Sequence, residues 1–127
     1  MKTTENALNW FEIAVSDLTR AKKFYETVFD IEMKLIDFQN IKMANFVADD
    51  NMGKVSGALV QSEMHQPGMD GALIYLNGNP DLDIPLSKIE RAGGKILMTK
   101  TLINENVGYM AIFVDTEGNR VALHSFK

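Results

Sequence analysis

MANFV, residues 43–47, returns as MAIFV, residues 110–114, half a chain later in a protein of 127 residues. A repeat constrains a fold more than any other sequence feature, because a unit that recurs is one that cannot bury its apolar face alone. The surrounding residues repeat too. WFEIAV (10–15) is rich in strand formers and runs into SDLTRAKKFYETVF, where Asp17 is placed as an N-cap and Leu18, Ala21, Tyr25 and Val28 mark one helical face, widened by Phe24. EMKLIDF, IKMANFV and KVSGALVQ then read as three strands, the last two separated by the turn DDNMG at 49–53.

The second half follows the same order. ALIYLN (72–77) opens it as a strand, and NPDLDIPLSKIERAGG follows as a helix whose Leu82, Pro85, Ile89 and Ala92 repeat the helical spacing, with Pro85 near the first turn and Gly93 as the stop. KILMTK, VGYMAIFV and, after the turn DTEG, NRVALHSF supply three more strands. MANFV and MAIFV are the third strands of two units, and GALVQ aligns with VALHS as the fourth. The reading is an α+β chain of two βαβββ modules, about 8–62 and 71–126, joined by a linker at 63–70 and sharing one core.

Composition narrows the function classes. Thirteen basic against seventeen acidic residues leave a net charge of −4, and no Lys/Arg run is dense enough to follow a phosphate backbone, so nucleic acid is not an expected partner. Arg20, Lys22 and Lys23 read as the solvated face of the first helix. Cysteine is absent, which removes disulfides, thiolate metal sites and a cysteine nucleophile, and fits a reducing cytoplasm. The opening MKTTENALNW has no apolar signal core, and no apolar run is long enough to span a bilayer, so neither export nor a membrane is expected. A phosphate-cradling glycine loop, G-x-S-x-G and HExxH are also missing.

Two tandem βαβββ units, a strand entering D-L-x-R-A-x-x-F-Y (Asp17, Leu18, Arg20, Ala21, Phe24, Tyr25) and a closing D-x-x-G-N-x-x-x-L (Asp115, Gly118, Asn119, Leu123) resemble the vicinal oxygen chelate superfamily. Its members include glyoxalase I, bleomycin-resistance proteins and extradiol dioxygenases. The resemblance implies curled mixed sheets around a cavity, and a homodimer. In metal-dependent members it implies His, Glu or Gln ligands at four cavity-facing strand positions, which here carry Trp10, Ala58, Ala72 and Ala122. Indole and methyl groups ligate nothing, so no cofactor or metal is expected.

Side chains alternate along a strand, so Trp10 and Glu12 share a face, as do Ala122 and His124. Glu12 amid apolar strand residues is either a carboxylate at a wet surface held by a basic or amide group, or a general base or acceptor for a ligand. His124 is either a strand-end histidine or a proton-transferring group. Trp10 offers a plate for a ligand or fills the void, and Tyr109 offers a hydroxyl or packs in the core. His65, in the polar linker, reads as solvent-facing. The eight methionines suit a pocket wall or ordinary core filling.

Three functions follow. The first is metal-free binding of a small organic molecule through Trp10, Glu12, Tyr109 and His124. The second is a glyoxalase-type lyase or isomerase, with Glu12 and His124 as an acid/base pair or as a displaced site for a divalent metal. The third is a non-catalytic dimeric interaction protein.

Overall fold

The computed structural model describes residues 1–46 and 53–127. The elements are β1 (Trp10–Ala14), α1 (Leu18–Phe29), β2 (Lys34–Phe38), β3 (Ile41–Asn45), β4 (Ser56–Gln61), β5 (Tyr75–Asn77), α2 (Asp83–Leu86), β6 (Lys95–Asn104), β7 (Gly108–Val114) and β8 (Arg120–Ser125). They build two four-stranded mixed sheets of the same order, β1-β4-β3-β2 and β5-β8-β7-β6. In each, the first and fourth strands are parallel and the other pairs antiparallel. This is the α+β class expected from the repeat. Val47 and most of the DDNMG turn lie outside the described residues.

Helix α1 forms where its pattern places it. The Asp17 carboxylate accepts a hydrogen bond from the Arg20 N–H at 3.0 Å, and Asp30, at φ 52°, closes the other end by donating its N–H to the Glu26 carbonyl. Leu18, Ala21, Phe24, Tyr25 and Val28 are all buried. The second helix is much shorter than the sequence suggests. Ser87 Oγ donates to the Ile84 carbonyl at 2.8 Å, and the Lys88 N–H bonds the Pro85 carbonyl instead. The backbone thus tightens into i→i−3 turns after one α-helical turn.

Three strands also depart from expectation. β5 is reduced to Tyr75–Asn77, while β6 runs on to Asn104 through three register shifts. Its turn into β7 is set by Asn104 Oδ1, which accepts from the Asn106 and Val107 N–H groups, and by Gly108 at φ 102°. β3 ends at Asn45.

An apolar cluster joins the sheets. It includes Ile13, Leu59, Leu76 and Leu123, with Phe24 and Tyr25 of α1 reaching Phe113 of β7 at ring distances of 6.0 and 6.5 Å. A polar latch reinforces it. The Glu117 carboxylate accepts from the N–H groups of Ser16 (2.9 Å) and Asp17 (2.8 Å) and from Arg20 Nε (2.8 Å) and Nη2 (3.0 Å). Asp115, also buried, accepts from the Tyr25 hydroxyl at 2.7 Å and from Asn119. The turn between β7 and β8 is therefore tied to the entry of α1. Among the described residues no helix is long and apolar enough to cross a membrane.

Candidate functional site

Strand register decides which side chains meet. In the first sheet Trp10 stands opposite Ser56, and Glu12 opposite Ala58, which faces Asn45 in turn. In the second, Tyr75 is opposite Ala122 and Asn77 is opposite His124, which pairs with Met110. Trp10, Glu12 and Ala58 therefore occupy one face of their sheet, as Tyr75, Ala122 and His124 do of theirs. Because Ala58 aligns with Ala122, Tyr75 is the counterpart of Glu12. Ala72 lies before β5 rather than on it.

Glu12 is held by two neighbours. Its Oε1 is 2.9 Å from His65 Nε2, and its Oε2 accepts from the Trp10 indole N–H at 3.4 Å. His65 Nδ1 is in turn 2.6 Å from Ser62 Oγ. With the imidazole neutral, Nε2–H donates to Glu12 while Nδ1 accepts the Ser62 hydroxyl proton; protonated, both nitrogens donate. His65 is thus a partner of Glu12 and not the solvent-facing linker residue expected. The local signal for it was Ser62 three residues earlier, whose oxygen caps the turn by accepting the Met64 N–H at 3.1 Å.

No hydrogen bond joins Glu12 to His124. The His124 Nε2 is 2.6 Å from the Val107 carbonyl, to which it donates, and Phe126 meets its ring edge-on at 5.0 Å. Tyr109 pairs with Ser125, so it projects from the opposite face to Met110 and His124. It packs against the core with the Lys100 ammonium 4.6 Å from its ring centre. Alternation along β7 separates the two residues that sequence reading had placed around one ligand.

Two concavities lie beside these groups. A hollow of about 410 Å³ on the second sheet is lined by Tyr75, Asn77, Asn79, Ile103, Val107 and His124. A cleft of about 460 Å³ follows the seam between β1 and the second sheet, with Glu12, Ala14, Pro67, Asp70, Asn119 and Arg120 among its walls. Asn119 fixes this cleft, donating from Nδ2 to the Ala14 carbonyl at 2.7 Å and accepting the Gly68 N–H at 2.9 Å. The 63–70 linker is thereby folded over the end of β8.

A sequence model of the Glyoxalase/Bleomycin resistance protein/Dioxygenase superfamily matches residues 7–123. The chain belongs to that superfamily. A glyoxylase-like domain-containing protein of Didymella fabae is 29% identical over 119 residues, 91% of each chain. Among solved structures, a glyoxalase/bleomycin resistance protein/dioxygenase family enzyme of Burkholderia phytofirmans superposes with a TM-score of 0.67 at 15% identity, covering 96% of this chain and all of the other. The trypanothione-dependent glyoxalase I of Leishmania major gives 0.67 at 19% identity, over 96% and 88%. At such identities these likenesses speak for the fold alone.

The resemblance implies ligands of metal-dependent members at the positions of Trp10, Ala58, Ala72 and Ala122. Ala58 and Ala122 are fully buried methyl groups, and the Trp10 indole can only donate. Among the described residues no group of three or more His, Asp and Glu is placed to hold a metal.

Proposed function

We propose that this protein is a binding member of its superfamily, holding a small organic molecule against the sheet face that carries Trp10, Ala58, Tyr75 and Ala122, without a metal and as a homodimer. The observation that carries this reading is the alanine on the fourth strand of each sheet, Ala58 against Glu12 and Ala122 against Tyr75. Over these buried methyl groups the exposed rings of Trp10 and Tyr75 favour contact with an apolar ligand surface, while Glu12 and its neighbours supply a few polar points. The dimer is supported by Trp10, Phe38, Tyr75 and Leu102, large apolar side chains each about half exposed (42–57%) on the strands.

The test is a thermal-shift screen of small organic acids, aromatics and thiols on protein purified without a polyhistidine tag. A saturable ligand at about 100 times its Kd should add about 2.7 kcal/mol of stability. Metal emission spectroscopy should find no stoichiometric ion, and sedimentation should find a dimer. A silent screen, or one tightly held metal per chain, would overturn the reading.

A lyase or isomerase reading is favoured by one observation, the hydrogen-bonded run Ser62–His65–Glu12. Glu12 would take a proton from carbon beside a carbonyl, with His65 orienting the carboxylate. Any turnover found should be abolished in Glu12→Gln with the fold intact; unchanged turnover would remove Glu12 from the chemistry.

A further inference from the structure

We infer that Arg120 anchors a carboxylate, and that the seam cleft takes a small organic monocarboxylate whose two oxygens face the guanidinium. Arg120 opens β8 on the face that carries Ala122 and His124 and lines the cleft. Its Nε is buried and has no hydrogen-bond partner, and the ion pairs among the described residues do not include its guanidinium. A buried charged donor left unmade is a destabilising feature that persists where something else fills it. Arg20 shows what the same fork does when satisfied, with Nε and Nη2 at 2.8 and 3.0 Å from the two oxygens of Glu117.

The cleft's own acids leave the fork free. Glu12 has one oxygen on His65 and the other on Trp10, and Asp70 makes no bond to Arg120 although both line the cleft. Asn119, the preceding residue, spends its amide on Ala14, Gly68 and Asp115, which fixes the backbone from which Arg120 projects. The remaining walls include Ala14, Pro67, Met69, Ala72, Ile74 and Val121, apolar surface suited to the rest of an organic acid. One cation against two carboxylates opposes a second negative charge on the ligand, which selects a monocarboxylate over phosphate or a diacid.

This inference rests on the binding reading above, sets its ligand in the seam cleft that Glu12 and Arg120 both line, and names the ligand class. The experiment titrates the full chain with benzoate, phenylacetate and propionate, each against its neutral amide, and with inorganic phosphate, reading thermal shift and calorimetry. At least one carboxylate should bind saturably, with its amide at least about 10-fold weaker, as expected for a charge-assisted pair. Arg120→Gln should lose about 10-fold or more of that affinity, Arg120→Lys should retain part of it, and neither should lower the melting temperature of the unliganded protein, because each relieves or softens an unpaired buried donor. Equal binding of acid and amide, an Arg120→Gln affinity within twofold of the parent, preference for phosphate, or silence from all three carboxylates would each overturn the inference. Neutral amides that bind while carboxylates do not would sink this inference and leave the binding reading standing; silence from every compound would defeat both.

Discussion

The latch at Glu117 yields a stability difference that can be worked out bond by bond. Its side chain is inaccessible to solvent, and one oxygen receives the Ser16 and Asp17 N–H groups and Arg20 Nη2 while the other receives Arg20 Nε and the Thr116 hydroxyl. Glu117→Ala leaves both part-buried backbone amides without their acceptor, and at about 1–3 kcal/mol for each unsatisfied donor the expected loss is about 3–4 kcal/mol. Glu117→Gln keeps one oxygen on the amides and turns its NH₂ toward Thr116 and Arg20, whose half-exposed guanidinium can move to water; the expected loss is about 1–2 kcal/mol. The gap between the variants, about 2 kcal/mol, belongs to the amides. Burial pushes the Glu117 carboxyl up, but Arg20, the Asp17 and Ser16 amides and Thr116 outweigh it and hold it below its usual value. The stabilisation is therefore complete above the unfolded glutamate pKa of about 4.3 and disappears as pH falls through the lower, folded value. Urea unfolding from pH 7 down to pH 3 should show a shallower acid limb in both variants. A Glu117→Ala loss under about 1 kcal/mol, or an acid limb identical to the parent's, would refute the reasoning.

Other outcomes follow from single contacts. Tyr25→Phe keeps the ring packing but removes the hydroxyl that donates to Asp115, and should lose about 2 kcal/mol in urea. Burial, then the charge of Asp115 and its hydrogen bond, hold the Tyr25 phenol protonated well above its ordinary range, so its contribution should vanish in alkali; a parent and variant that differ equally at pH 7 and pH 11 would contradict this. Gly57→Ala would drive a methyl group into the Phe11 carbonyl and to 2.6 Å from its ring carbons, and should lose about 3 kcal/mol on thermal unfolding. Trp10, the one tryptophan, donates to Glu12 at the cleft, so its emission should change with the same midpoint as any thermal shift; saturation with no change in emission would place the ligand away from β1.

Local rules carried most of the fold. The Asp17 cap and the apolar stripe set α1, because these depend on residues a few positions apart, while the repeated strand order pointed to two matching sheets whose parallel pairs join distant residues. Where neighbours competed, pattern failed: Ser87 took a carbonyl that a longer α2 needed. The candidate site was less legible. Alternation placed Trp10 with Glu12 and Ala122 with His124, but the partner of Glu12 arrives from a linker 53 residues away, and His124 turns to a carbonyl of the β6–β7 turn. Arg120 gave no sequence signal, since what distinguishes it is a partner it lacks in three dimensions.

The latch also sets an order on birth of the chain. Ser16 and Glu117 are 101 residues apart, which at about 5–20 residues per second is roughly 5–20 s of translation. Through that interval the amides entering α1 wait on the ribosome with only water to receive them, so the first sheet must emerge and persist, or be sheltered, before the acid that completes it has been made.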